Sequence, residues 1–519
     1  MIVVGGGTAG CVVAARLAAE PGRRVLLLEA GAAPRTADAF LPELRSATSL
    51  VGSVPGHPAT WSYPGLLTPE RPYTVPRGRV LGGSSTVNGG YFTRGRPADY
   101  DAWAARGNPA WSYDALLPFF RSLETDLDYP PPATASASAG GTVHGGGGPV
   151  PVGRPAGDLL GPAPAAFLAA CRELGHPDEP DRNGGGPPGA GPVPANVRHG
   201  VRVNTALAYL SGRSGGVPDH TVTGHAAAAD MPNLTITGHA VVHRVIVEDG
   251  RATGVSAVVD GEPTVLRGRE IVLCAGAIAT AHLLLLSGVG PAADLRRHGV
   301  RVARDAPVGA AFHDHPQAWL AYRTSVPVPV RAGMVLTQAA LDAGDAEILA
   351  TGVPMAAALG RPGDGAELAL IAGLQRPESR GRLSLASADP DAPPRLDYRY
   401  LEPAADRVRL RAAVRHALDL LRTPPLRALV AEIRVPGTAA DDRELDAWLR
   451  ADLRTAFHLS GTAPMGPEDD PAAVTDQYGR VRGLEGLRVA DTSLIPEPPH
   501  RGPAATAVAI GERVASFMT

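Results

Sequence analysis

Apolar positions along this chain follow two different periods, and their alternation predicts the architecture. Met1 to Val4 is a short continuous apolar run that ends at glycine, as a buried strand does. Thr8 to Ala19 (TAGCVVAARLAA) reads as a helix, and Val25 to Leu28 is strand-like again, so the chain opens on a βαβ unit. Farther on, NLTITGHAVVHRVIVEDGRATGVSAVV (233–259) places an Asp-Gly turn between two β-rich runs, and REIVLCAG supplies another buried strand. Between 306 and 450 the pattern changes. Strand-like pieces (AELALIAGLQ, GRLSLAS) alternate with the helical segments ADRVRLRAAVRHALDLLR and RELDAWLRADL, in which Leu445, Trp448, Leu449 and Leu453 form an apolar stripe. Residues 451–519 return to loop, strand (LRVADTSLIP) and helix (GPAATAVAIGERVASF). The expected organisation is an α/β, Rossmann-like dinucleotide-binding domain over 1–305, a second α+β substrate-binding (cap) domain over 306–450, and a return to the first over 451–519. Two stretches rich in Pro, Gly and Ala, 129–157 and 176–194, read as excursions outside a packed core, with a lid over the active site as the alternative.

Composition narrows the function. With 519 residues the chain exceeds what one hydrophobic core usually supports. A formal net charge of -3, from 49 basic and 52 acidic residues without a dense basic stripe, argues against a nucleic-acid partner. Every basic residue is arginine, a compositional bias without mechanistic content. Cys11, Cys171 and Cys274 are odd in number and lack a C-x-x-C pair, which points to a reducing cytosol with neither disulfides nor a thiolate metal site. The most apolar window, 271–290, carries Thr280, His282, Ser287 and three glycines, so no transmembrane segment is expected. No signal peptide is read at the start, although the first strand is short enough that the true start could lie upstream of Met1. A cytoplasmic location follows, compatible with peripheral contact at the inner face of the cell membrane.

Four stretches carry candidate chemistry. Gly5, Gly7 and Gly10 fit G-x-G-x-x-G between the first strand and helix, where glycines allow close approach of a pyrophosphate to the helix N-terminus. Glu29 stands nineteen residues past Gly10 at the end of the second strand, placed to accept from ribose hydroxyls. NAD and FAD remain open at this point. The block Gly78-Arg79-Val80-Leu81-Gly82-Gly83-Ser84-Ser85, followed by Asn88, suits either a flat ring lying on bare backbone or a glycine-rich turn. His458, in Phe457-His458-Leu459-Ser460-Gly461-Thr462, is either a general base or one of 15 ordinary histidines. Asp491 closes a strand, and Gly502-Pro503-Ala504-Ala505-Thr506 opens a helix whose N-terminus either faces a ligand or simply packs.

Those residues together resemble the glucose-methanol-choline (GMC) oxidoreductases along the whole chain. GRVLGGSSTVNGGYFTRG is similar to the first family motif, AGAIATAHLLLLSGVGP to the second, with Ala281 where the family usually has Pro or Ser, and HLSGTAPMG to the motif that carries the catalytic histidine. The resemblance implies FAD. It places the pyrophosphate on Gly5, Gly7, Thr8, Ala9 and Gly10, the ribose on Glu29, adenine on the backbone of Val242, the flavin beside Gly82, Ser84 and Asn88, and Asp491 next to the cofactor. It makes His458 the catalytic base. Because Ser84 to Asn88 lacks the histidine to which some relatives attach FAD, non-covalent FAD is expected. One departure stands out: Gly502 occupies the place where the family usually carries Asn or His, with His500 and Arg501 as candidate replacements. NGGYFTRG and RGPAAT are similar to the mycofactocin-associated members of the family. That likeness implies oxidation of mycofactocinol, the reduced form of a peptide-derived redox cofactor, with electrons passed to the respiratory chain. The alternatives are an alcohol or choline-type dehydrogenase or oxidase, a hydroxynitrile-lyase-like enzyme with structural FAD, and a non-catalytic electron-relay partner.

Overall fold

A computed structural model describes residues 1–132, 142–211, 231–434 and 441–519. Five strands lie side by side in the order Leu234–Thr237, Val25–Leu28, Ile2–Val4, Ile271–Leu273 and Leu487–Val489, all parallel to their neighbours. The three central strands Val25–Leu28, Ile2–Val4 and Ile271–Leu273 are continuous apolar runs because both their faces are covered; Val3, Leu27, Val272 and Leu273 are fully buried. Helix Thr8–Ala18 follows the first strand, and helix Ala504–Ser516 packs against it through Gly511, where a Cβ would lie 2.8 Å from Val12 Cβ. Parallel strands present all their C-terminal ends at one edge, and ligands bind in the crevice outside such an edge. Here that edge carries Gly5, Glu29, Ala275 and Asp491, drawn from segments hundreds of residues apart.

The Asp-Gly turn forms as the sequence predicts. Asp249 (φ 48°) and Gly250 (φ 77°) join antiparallel strands Ala240–Glu248 and Arg251–Val259, the paired positive φ values that a two-residue hairpin turn requires. The apolar window resolves into strand Ile271–Leu273 and helix Gly276–Leu286, and no described helix is long and apolar enough to cross a membrane. All three cysteines are free and buried.

A second, mainly antiparallel sheet runs in the order Val430–Ile433, Pro316–Thr324, Glu367–Leu374, Ala346–Thr351, Thr337–Ala343 and Ala190–Pro192, with Arg454–Thr455 also on Pro316–Thr324. Helix Ala404–Arg422 packs on it with Leu410, Val414, Leu418 and Leu421 buried. The edge strand Ala190–Pro192 corrects the reading of 176–194 as an excursion. Glu179, Arg182 and Asn183 from that stretch are buried; Arg182 pairs with Glu179, Asp342 and Glu347, and Asn183 bonds the backbone of Phe92 and Arg94. The other excursion is corrected for its described residues: Val150–Val152 is a buried strand, and His144 bridges the buried carboxylates of Glu124 and Asp126 to Asp181. Residues 133–141 of that stretch lie outside the described residues. Strands Thr60–Thr68 and Arg71–Gly78 form an antiparallel hairpin.

Candidate functional site

At the strand-end edge, glycine is required by contact. Gly5 has φ +97°, and a Cβ on it would lie 2.7 Å from Ala275 Cα; a Cβ on Gly10 would lie 1.9 Å from the Gly5 carbonyl oxygen. Gly7 starts the helix with no side-chain cap, so the first-turn N–H groups at Thr8, Ala9 and Gly10 are left to a ligand or water. The second glycine block folds directly onto the first: Gly82 N–H donates to Gly6 O at 2.7 Å, and a Cβ on Gly83 would come within 2.6 Å of Gly7 Cα. Ser84 opens the short helix Ser84–Val87, its Oγ accepting from Gly78 N–H at 3.3 Å, and Asn88 Oδ1 accepts from Gly90 N–H. Above Gly276 an added Cβ meets nothing within 4 Å. Bare backbone around an uncapped helix N-terminus fits the diphosphate of an ADP-bearing cofactor.

Glu29 is buried, and its two oxygens accept from Gly6 N–H (3.0 Å) and Gly31 N–H (2.8 Å). Burial lifts its carboxyl to about 7 against the pull of those N–H groups. It therefore ties down the glycine loop as well as facing the edge. Val242 follows Ala240, whose N–H donates to Glu29 O at 2.9 Å, which brings strand Ala240–Glu248 alongside. Asp491 accepts from Gly276 N–H (2.9 Å) and Thr280 Oγ1 (2.6 Å) on one oxygen and from Ser493 N–H (2.8 Å) on the other. It holds the start of helix Gly276–Leu286 against the last strand, and burial raises its carboxyl above the usual range.

His458 is presented by an unusual backbone. Phe457 is left-handed (φ 62°), its N–H bonded to Thr455 Oγ1 at 2.9 Å and its carbonyl to Arg77 Nη1 at 2.7 Å. Asp314 organises the loop: it accepts from His458 N–H (2.8 Å), His315 N–H (2.6 Å) and Thr455 Oγ1 (2.7 Å). Nδ1 of His458 and Nδ1 of His315 lie 2.8 Å apart with the rings near perpendicular at 83°. Burial, with His315 and Arg77 nearby, holds the His458 imidazole far below its ordinary value; burial takes His315 down to about 3. Both rings are neutral at physiological pH. A neutral pair shares one N–H between its Nδ1 atoms, so one ring donates and the other accepts. His315 and Asp314 escape recognition from sequence, because the HDHP stretch that holds them has no spacing that points to His458 more than 140 residues on.

Opposite the His458 ring is Gly502. A Cβ there would sit 3.0 Å from His458 Cε1 and Nε2 and 3.3 Å from Tyr91 Cε1. The expected substitutes for the missing side chain are occupied. Arg501 is locked by Asp342 (2.7 and 2.9 Å) and Glu179 (2.6 Å), and His500 is paired with Asp99. The residue that does reach this edge is Tyr91, whose hydroxyl donates to Glu347 Oε1 at 2.6 Å. Arg182 Nη2 also bonds Glu347 Oε1, at 3.0 Å, and Asp342, at 2.6 Å.

A cradle for an ADP-bearing group and a desolvated neutral imidazole in one chain fit a dinucleotide-dependent oxidoreductase. Two profiles of the GMC oxidoreductase family match residues 1–317 and 377–511. The chain is 38% identical over 100% of its length, and 97% of the relative's, to a GMC-type oxidoreductase from the thcA 5' region of Rhodococcus erythropolis. It is 31% identical to the oxygen-dependent choline dehydrogenase of Vibrio vulnificus, covering 100% of this chain and 93% of that one. Pyridoxine 4-oxidase from Mesorbium loti superposes with a TM-score of 0.86 at 28% identity, covering 99% of this chain and 98% of that one. The chain belongs to the GMC oxidoreductase family, and its cofactor is FAD.

Proposed function

We propose that the protein oxidises an alcohol carbon, with mycofactocinol as its donor, and passes the electrons on to the respiratory chain. The observation that carries the chemistry is the His458 ring: neutral, fixed at Nδ1 by His315, and turned with its Cε1–Nε2 edge toward Gly502. For Nε2 to accept a proton, Nδ1–H of His458 donates to His315. Nε2 then takes the hydroxyl proton as the C–H bond breaks, leaving a carbonyl product. FAD, when bound, supplies the acceptor for the hydride. Gly5, Gly7, Thr8, Ala9 and Gly10 hold its pyrophosphate, Glu29 its ribose and the Val242 backbone its adenine, while Gly82, Ser84 and Asn88 line the flavin and Asp491 braces the helix beside it. With no histidine between Ser84 and Asn88, attachment is non-covalent.

Choice of donor rests on NGGYFTRG and Arg501-Gly502-Pro503, the stretches similar to mycofactocin-associated relatives. The charge pattern supports it over choline. The carboxylates near His458 are already engaged, Asp314 by N–H and hydroxyl donors, Asp99 by His500, and Asp342 and Glu347 by arginines. They offer a quaternary ammonium no unpaired anion. Anaerobic mixing of the yellow holoenzyme with mycofactocinol and with choline tests this: mycofactocinol bleaches the flavin within a turnover time and choline does not. Bleaching by choline alone returns the protein to the choline-type reading.

A further inference from the structure

We propose that Tyr91 is a catalytic residue, supplying to the substrate oxygen the second hydrogen bond that Gly502 cannot give, and that Glu347 is a positioning residue governing when Tyr91 does so. The inference rests on the alcohol-oxidising reading above. Its geometry is that of one edge. Gly502 carries no side chain, and the atoms closest to where one would begin are His458 Cε1 and Nε2 and Tyr91 Cε1, so Tyr91 stands beside the reactive edge of the imidazole. Tyr91 is only half-buried, whereas the Glu347 carboxylate that receives its hydroxyl is inside the second sheet on strand Ala346–Thr351. Glu347 is faced by Arg182, Arg501, Asp342 and Tyr91, and by the Gln375 amide at 3.5 Å. Burial, with the Asp342 charge adding to it, brings its carboxyl up to about 7 despite the arginines. Gln375 Oε1 is buried and makes no hydrogen bond to the protein. A proton on Glu347 Oε2 would find that acceptor after a flip of the amide.

Two states follow. With Glu347 ionised, the Tyr91 O–H is held by the carboxylate, and only its lone pairs face the cleft. They repel the negative charge that grows on the substrate oxygen as His458 takes its proton. With Glu347 protonated, the neutral carboxyl holds Tyr91 more weakly, and the phenol O–H turns to the substrate oxygen. No proton leaves Tyr91 in either state; it lends a hydrogen bond while the proton goes to His458 and the hydride to the flavin. With the resting His458 ring neutral across this range, titration of Glu347 places an inflection near neutrality that depends on Tyr91. Flavin reduction is faster below it than above.

The test is anaerobic stopped-flow reduction of the holoenzyme by mycofactocinol, across about pH 5.5 to 9. Wild type should step down through neutrality. Tyr91→Phe should bind flavin normally and reduce it slowly at every pH, on the order of 10- to 100-fold below the wild-type acid plateau, with no inflection. Glu347→Gln should also lose the inflection, but in the opposite direction, outrunning wild type on the alkaline side. Infrared difference spectra across the same range should show a protonated-carboxyl band that Glu347→Gln removes and Tyr91→Phe shifts. A Tyr91→Phe rate equal to wild type, or an inflection kept in both variants, overturns the assignment. A wild-type flavin that mycofactocinol, choline and benzyl alcohol all leave oxidised overturns the alcohol-oxidising reading itself, and the Tyr91 role with it.

Discussion

Replacing Gly502 by alanine adds one carbon at the most crowded point of the site. That carbon would stand 3.0 Å from two atoms of the His458 ring and 3.3 Å from Tyr91, so something must give by a few tenths of an ångström. The backbone raises no objection, since Gly502 is not among the positive-φ residues. His458 has little room to retreat, because its Nδ1 is held by His315 and its N–H by Asp314. The displacement therefore falls on the reactive edge. A misplacement of about 1 Å at a reacting centre costs roughly 100-fold in rate, so a few tenths should cost roughly 3- to 10-fold. Folding stability should change by less than about 1 kcal/mol, since the lost chain freedom of glycine in the unfolded state offsets the crowding. The assay is anaerobic flavin reduction by mycofactocinol at saturation, with flavin content and thermal midpoint measured alongside. Gly502→Ala should keep its flavin and its midpoint and slow the reduction. Gly502→Asn, larger still, should be slower again. An unchanged Gly502→Ala rate, or a Gly502→Asn enzyme faster than wild type, would refute the packing argument.

Other perturbations bear on separate parts of the structure. Gly10→Ala pushes a Cβ to 1.9 Å from Gly5 O, so helix and loop must separate; protein purified from this variant should be depleted in flavin, seen in the ratio of flavin to protein absorbance. His315→Leu removes the Nδ1 partner of His458 and should slow flavin reduction roughly 10- to 100-fold, with His315→Asn, which restores an acceptor, falling between it and wild type. His144, bonded to Glu124, Asp126 and Asp181, has its imidazole raised from 6.5 to about 10 by those carboxylates against the opposing effect of burial. A raised folded-state value means stability fully present below pH 6.5 and lost as pH climbs toward 10. The thermal midpoint should fall over that window, and His144→Ala should flatten the slope.

The first sheet was legible because its central strands are buried on both faces and are followed by glycines, as after Val4, and the separate hairpin Ala240–Glu248/Arg251–Val259 because its turn is the explicit Asp249-Gly250. The hairpin Thr60–Thr68/Arg71–Gly78 was not, since Pro64, Gly65, Pro72 and Pro76 interrupt the alternation that betrays a strand. Residues 176–194 look like solvent-exposed chain by composition, yet Glu179, Asp181 and Arg182 belong to buried or half-buried networks whose partners are remote in sequence. The site shows the same division. Motif residues near the strand ends could be named one by one, while Asp314, His315, Tyr91 and Glu347 meet His458 or its edge only through the fold. Glu29 was found for one role and has a second, because a carboxylate at a strand end can bond its own loop as well as a ligand.

The most direct test of the account is the rate of anaerobic flavin reduction by mycofactocinol in wild type and His458→Ala. Both proteins should be yellow, since His458 holds the substrate proton and not the cofactor. The variant should reduce its flavin about 10² to 10⁴ times more slowly, with no acid-side loss near pH 6.5 in the wild type, whose His458 is neutral well below that value. A His458→Ala enzyme that bleaches as fast as wild type would contradict the central claim.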